Sequence, residues 1–142
     1  MILDDYTHYT WTFPLHHKSD VLPTLISFHA FVRTQFSLPS QCFQTDNGRE
    51  FDNSASRAFF ATHGIALRLT CPYTSQQNGR AECVLRTIND SVHTLLFHAS
   101  VPATFWPDTL ATATYLLNRR PCRPRQHLTP FEIQFGSCLS SS

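Results

Sequence analysis

The sequence predicts an α/β layered domain of 142 residues. Three observations carry that prediction. Short alternating or aromatic runs, the signature of half-buried strands, are interleaved with stretches of helical period. One stretch, from Arg80 to Ala99, repeats apolar residues at three and four through Ala81, Val84, Leu85, Ile88, Val92, Leu95, Leu96 and Ala99. The chain is also 42% hydrophobic with twelve Phe, enough apolar mass for a core and unlike a disordered segment.

The elements follow in order. "MILDD" reads as a strand, and "TWTFPL" alternates and stops at Pro14, so the two predict an antiparallel hairpin. "SDVLPTLISFHAFVRTQF" reads as a helix with Asp20 as N-cap and Pro23 in the first turn, where its missing N–H costs little. Its core face is expected at Leu22, Leu25, Ile26, Val32 and Phe36. "SQCFQT" is a strand, followed by Asp-Asn-Gly turn chemistry. "NSASRAFFATHG" is a short helix, with Ala55, Ala58 and Phe59 on its apolar side and Gly64 as its stop. Ile65, Leu67 and Leu69 alternate as another strand, and "CPYTSQQNG" reads as a polar loop before the strong helix at Arg80. "PATFWPDTLATATYLLNRR" is a helix with Trp106, Leu110, Ala113 and Leu117 as its buried stripe. "PCRPRQHLTP" is a basic loop and "PFEIQFG" one more helical turn, before a frayed "SCLSSS". No repeat and no interdomain linker is visible.

Composition narrows function by exclusion. Net charge is +1, so no global basic field marks a nucleic-acid binder. Lys18 is the single lysine among eleven basic residues. The other ten are Arg, the better fork for phosphate and carboxylate. Five Cys, an odd number without a C-x-x-C pair, together with the absence of a signal peptide or membrane-length apolar run, predict a reduced intracellular protein with free thiols. The eight His show no metal-ligand spacing with those Cys.

Two acids stand out. Asp46, in "QTDNGREF", falls at the carboxyl end of a predicted strand, where open α/β sheets keep their ligand sites. Glu82 ends "PYTSQQNGRAE" in the first predicted turn of the strong helix and off its apolar stripe. Taken alone, each has an ordinary explanation. Asp46 suits a turn, and Glu82 suits a helix N-terminus or an Arg86 partner at i+4. Together, with thirty-five residues between them, they form a pair able to converge on a divalent cation. Mg²⁺ takes one or two protein carboxylates and keeps its other positions for water and phosphate oxygens. Phosphoryl transfer needs a metal of that kind.

The blocks "DDYTHYTWTFPLHHKSD", "QTDNGREF", "HGIALRLTCPYTSQQNGRAE", "FWPDTLATATYLLNRRP" and "TPFEIQFG" resemble, in this order, the integrase core of copia-type long-terminal-repeat retrotransposons. The resemblance runs from residue 3 to residue 136. It implies a ribonuclease-H-like fold, a mixed sheet flanked by helices, with an integrase catalytic core over residues 1–136 and a disordered tail over 137–142. It implies a polynucleotidyl transferase of the DDE type that uses Mg²⁺ or Mn²⁺ to trim the element's DNA ends and join them to host DNA. Asp46 matches the family's second catalytic Asp and Glu82 its catalytic Glu, both as metal ligands. Tyr73, Gln77, Asn78 and Gly79 match its mobile catalytic loop, the first three of them as DNA-binding residues, and Arg86 a DNA-contacting position. Arg80, Arg119, Arg120, Arg123 and Arg125 are further candidate phosphate contacts. The implied partners are element and target DNA and like chains in an oligomer, with no membrane, and the implied location is the nucleus.

The sequence departs from the pattern in places. Asn89 stands where a second basic contact is usual, and Cys83 where copia-type elements have Arg. The family's first catalytic Asp lies on a strand upstream of text like Leu3-Asp4-Asp5, so neither Asp4 nor Asp5 takes its place. The expectation is a core without its first, central strand, and a chain that is inactive by itself. The alternative is a non-catalytic relic that at most binds DNA or protein.

Overall fold

A computed structural model describes residues 1–45, 48–70, 75–122 and 126–136, with residues 75–78 described by their backbone alone. The α/β class is as predicted. The elements are β1 (Ile2–Leu3), β2 (Thr10–Trp11), α1 (Val21–Phe36), β3 (Cys42–Thr45), α2 (Ser54–Thr62), β4 (Ala66–Leu69), α3 (Ser75–Ala99), α4 (Trp106–Asn118) and α5 (Pro130–Phe135). The chain divides into two compact units, Met1–Pro14 with Ala81–Ser142, and Leu15–Arg80.

In the first unit β1 and β2 pair antiparallel, Ile2 opposite Trp11 and Leu3 opposite Thr10. This is the expected hairpin. Its turn is fastened by Asp4, whose Oδ2 accepts from Thr7 N at 2.8 Å and from the Thr7 hydroxyl at 2.7 Å. The outer flank of β2 is completed by a side chain. Asn118, the last residue of α4, accepts from Thr10 N and donates to Thr10 O, both at 2.8 Å, standing in for a strand's peptide group. Thr12 and Thr114 hydroxyls meet at 2.8 Å along the same seam. The buried face of α4 therefore holds Ala113, Thr114 and Asn118, while Trp106, expected in the stripe, is 42% exposed because it opens the helix. Among the described side chains of α3, Ile88 is the most deeply buried, and Leu85, expected in the same stripe, is exposed. The Thr129–Glu132 capping box starts α5: Thr129 N donates to Glu132 Oε2 and Glu132 N to Thr129 Oγ1. Thr129 N and the Thr129 hydroxyl both donate to Glu132 Oε2, at 2.8 and 2.9 Å, and hold the Glu132 carboxyl below the usual carboxylate range.

In the second unit β3 and β4 pair parallel, Cys42 opposite Ala66 through Thr45 opposite Leu69. The ladder continues one step, with Thr70 N donating to Thr45 O at 3.0 Å. The α2 crossover between them starts at Asn53, whose side chain accepts from Ser56 N at 2.8 Å. It ends before Gly64, whose φ of +64° places it in the left-handed region that favours glycine. The buried residues of α2 are Ser56 and Phe60, one helical turn apart, so the face is rotated from the expected Ala55, Ala58 and Phe59. On α1 the buried residues are Leu25, Phe28 and His29, and Ile26 is 44% exposed. The sequence reading missed the polar His29 as a core position. Phe28 to Phe31, Phe43 to Phe60 and Phe59 to Phe60 have ring centroids 6.4, 5.9 and 5.6 Å apart. Among the described residues the four strands form these two ladders, one antiparallel and one parallel.

Candidate active-site residues

The strand that leads to Asp46 forms as expected, and β3 ends at Thr45. Asp46 itself lies outside the described residues, as do Tyr73, Arg123 and Arg125. Beyond the Asp46-Asn47 step the chain turns, with Phe51 N donating to Gly48 O at 3.1 Å.

Glu82 is described, and its setting differs from expectation. The helix begins at Ser75, not Arg80, so Gln77, Asn78 and Gly79 belong to its backbone and not to a loop. Glu82 thus stands more than a turn inside α3, beyond the first turn where the helix dipole favours an acid. Its side chain is exposed and, among the described residues, forms no ion pair with Arg86. The two structural explanations for an acid here therefore both fail. What remains is a carboxylate with no partner among the described residues, and Arg86 one turn further along the same helix face, the spacing of an i,i+4 pair. Val84 and Ile88 occupy the half-buried and buried side of this stretch, which keeps Glu82 and Arg86 toward solvent.

The other candidates divide. Arg80, Arg86 and Arg120 are exposed. Arg119 is held between two rings, its guanidinium carbon 3.6 Å from the Tyr115 centroid and 4.3 Å from that of Phe131. Asp4, excluded from the catalytic set on sequence grounds, is engaged in the hairpin turn. Cys42, Cys83 and Cys122 are free thiols. Among the described residues no group of three His, Cys, Asp or Glu side chains could hold a metal, and no helix is long and apolar enough to cross a membrane.

Comparison with known proteins gives these features a family. The integrase core domain model matches residues 1–75, more than half of the chain. The chain therefore belongs to the integrase core domain family. Among curated proteins it is 39% identical over 137 residues to the retrovirus-related Pol polyprotein from transposon RE1 of Arabidopsis thaliana. That match takes in 96% of this chain and 9% of the polyprotein. It is 34% identical over 140 residues to that from transposon TNT 1-94 of Nicotiana tabacum, over 99% of this chain and 10% of the relative. The chain thus spans about a tenth of the curated relatives it matches.

Solved structures share the fold. An integrase chain in the intasome of simian T-cell lymphotropic virus, in complex with PP2A regulatory subunit B56 gamma, superposes with a TM-score of 0.73 at 15% identity. It covers 98% of this chain and 48% of that one. The HTLV-2 integrase catalytic core domain, solved with magnesium in a trimeric form, gives 0.69 at 17% identity, over 92% of this chain and 80% of that one. The ribonuclease-H-like integrase-core fold expected from the sequence blocks is the fold found.

Proposed function

We propose that this chain is the integrase core segment of a copia-type retrotransposon polyprotein, acting in DNA integration by metal-dependent polynucleotidyl transfer. The observation that carries the catalytic assignment is Glu82: an exposed acid inside α3 with no partner among the described residues, in a chain of integrase-core family and fold. Glu82 and Asp46 would hold Mg²⁺ or Mn²⁺, and their chemistry fits, since two carboxylates leave open positions for water and phosphate oxygens. The cation, when bound, would make the attacking oxygen more nucleophilic and stabilise the leaving one. The magnesium complex of the HTLV-2 core supports this choice of ion. Arg86, one turn beyond Glu82, would orient a phosphate of the DNA end, with Arg80 and Arg120 adding charge along the backbone. The assemblies in which the two structural neighbours were solved support like chains as partners, and nuclear residence follows from the substrate.

The test is a strand-transfer assay with Mg²⁺ and with Mn²⁺. It is run on the 142-residue chain and on the same chain with its reading frame extended upstream, because the resemblance places the family's first Asp before Leu3. Joining is expected from the extended form, and Glu82→Gln in it should lose at least about a hundredfold, since metal-held charge is worth several kcal/mol in the transition state. Full activity in the extended Glu82→Gln variant would remove Glu82 from the mechanism. No joining by either form, with DNA binding intact, would favour the non-catalytic fragment.

A further inference from the structure

The second unit holds a cluster that the integrase reading does not use. His29 on α1 is 4% exposed and its Nδ1 is buried with no hydrogen-bond partner among the described residues. A buried, unpaired ring nitrogen is costly, and such a group calls for an explanation. Its ring stands edge-on to the His63 ring, with centroids 4.9 Å apart, and to the Phe59 ring at 5.8 Å. His63 Nδ1 lies 2.9 Å from Phe59 O. A carbonyl only accepts, so Nδ1 of His63 carries a proton, and its Nε2 donates to an anion only when the ring is an imidazolium.

These two rings line an open cleft of about 510 Å³ together with Arg33, Ser37, Pro39 and Thr62. The lining contains no carboxylate, and Arg33 forms no ion pair among the described residues. Arg33 lies four residues after His29, on the same face of α1. Against His29, therefore, α1 presents Arg33 and the end of α2 presents His63, while Ser37, Pro39 and Thr62 do not titrate. An arginine fork beside two imidazoles, with no carboxylate as counter-charge, suits a tetrahedral oxyanion, and the Arg33 charge disfavours a cation.

We propose that this cleft binds a phosphate-class oxyanion, held by the Arg33 guanidinium and by the His29 and His63 rings. Burial, with His63 and Arg33 as neighbours, lowers the His29 pKa below its ordinary 6.5, so the empty cleft keeps His29 neutral near neutral pH. An anion would favour the imidazolium, and binding would take up a proton. The sign follows: affinity tightens as pH falls from the occupied-site pKa toward the empty-site pKa, and is flat below it.

The experiment is imidazole ¹H–¹⁵N NMR of the full chain, titrated at matched ionic strength with inorganic phosphate, sulfate, acetate and a short DNA duplex. Sulfate keeps one charge state from about pH 5.5 to 7.5, so its pH dependence reports the protein's own groups. Phosphate and sulfate should shift both ring signals saturably and acetate should not. Sulfate affinity should tighten severalfold for each unit of pH lowered within the window. Arg33→Gln and His63→Gln change exposed residues and should each weaken binding about tenfold, the worth of a charge-assisted hydrogen bond. His29→Gln, if folded, should reduce the pH dependence. Ring shifts with the duplex would identify a nucleic-acid backbone as the source, and shifts with free phosphate alone a small phosphate compound. Absence of saturable ring shifts, an equal response to acetate, or full affinity in Arg33→Gln would overturn the proposal.

Discussion

The two compact units are held by different kinds of contact. In Leu15–Arg80 the ties are aromatic and closer in sequence: Phe43, Phe59 and Phe60 gather beside a parallel ladder only four residues long in each strand, and Phe28 lies against Phe31 on α1. In Met1–Pro14 with Ala81–Ser142 one ring pair, Tyr9 and Phe135 at 5.3 Å, is accompanied by ties that are polar, specific and remote. Asn118 reaches Thr10 across 108 residues, Thr114 reaches Thr12 across 102, and Gln134 Oε1 lies 2.7 Å from the Thr7 hydroxyl across 127. The difference reflects what each unit must join. An α2 crossover brings β3 and β4 together with their rings already near. The first unit must instead attach an N-terminal hairpin to helices from the far end of the chain. Directional bonds fix the register of that attachment, where non-directional burial would allow it to slip.

Two substitutions would break this contrast. Phe60→Ala, at a buried ring, should cost about 3–5 kcal/mol and melt the second unit, seen as lost protection of Phe43 and Leu67 amides in hydrogen exchange. Asn118→Leu keeps the volume but leaves the Thr10 N–H and C=O without partners. The expected cost is roughly 2–4 kcal/mol, with β2 amides exchanging faster and β3 amides unchanged. If Asn118→Leu proved neutral, the polar seam would be an ornament on an apolar interface, and the comparison would fail.

The same contrast explains what the sequence revealed. Periodicity found α1, α2, α4 and the body of α3, and Gly64 marked the end of α2, because each of these is decided locally. The early start of α3 was hidden. Ser75, Gln76, Gln77 and Asn78 carry no apolar residue, so the helical period has nothing to register until Ala81. That error placed Glu82 in a first turn and lent it an electrostatic explanation it does not have. The role of Asn118 was equally hidden, because an asparagine at a helix end reads as a cap until the strand beside it is known. The pairing of His29 with Arg33 at i and i+4 was visible in "HAFVR", but His63, which turns the pair into a cleft, is thirty-four residues away. The family blocks were readable because each is a run of contiguous residues.

The smallest effects expected are at Arg119 and Arg86, and they separate the structural from the nucleic-acid role of the first unit's arginines. The Arg119 guanidinium stacks on Tyr115 and Phe131 and its Nη1 donates to Tyr115 O at 3.4 Å. This ties α4 to α5 with a flat group that an ammonium replaces poorly. Arg119→Lys should therefore cost on the order of 1 kcal/mol, read as a lowered urea midpoint. The charge is kept, so if Arg119 also neutralises a DNA phosphate, the salt dependence of duplex binding should hold its slope in Arg119→Lys and lose about one unit in Arg119→Gln. Arg86, exposed and unstacked, should behave in the opposite way: Arg86→Gln should reduce the slope and leave the urea midpoint within about 0.5 kcal/mol of the parent. Equal salt slopes in the parent and both glutamine variants would restrict these arginines to the fold. A reduced slope in Arg86→Gln alone would place DNA along α3 and leave the α4–α5 stack as a purely structural clasp.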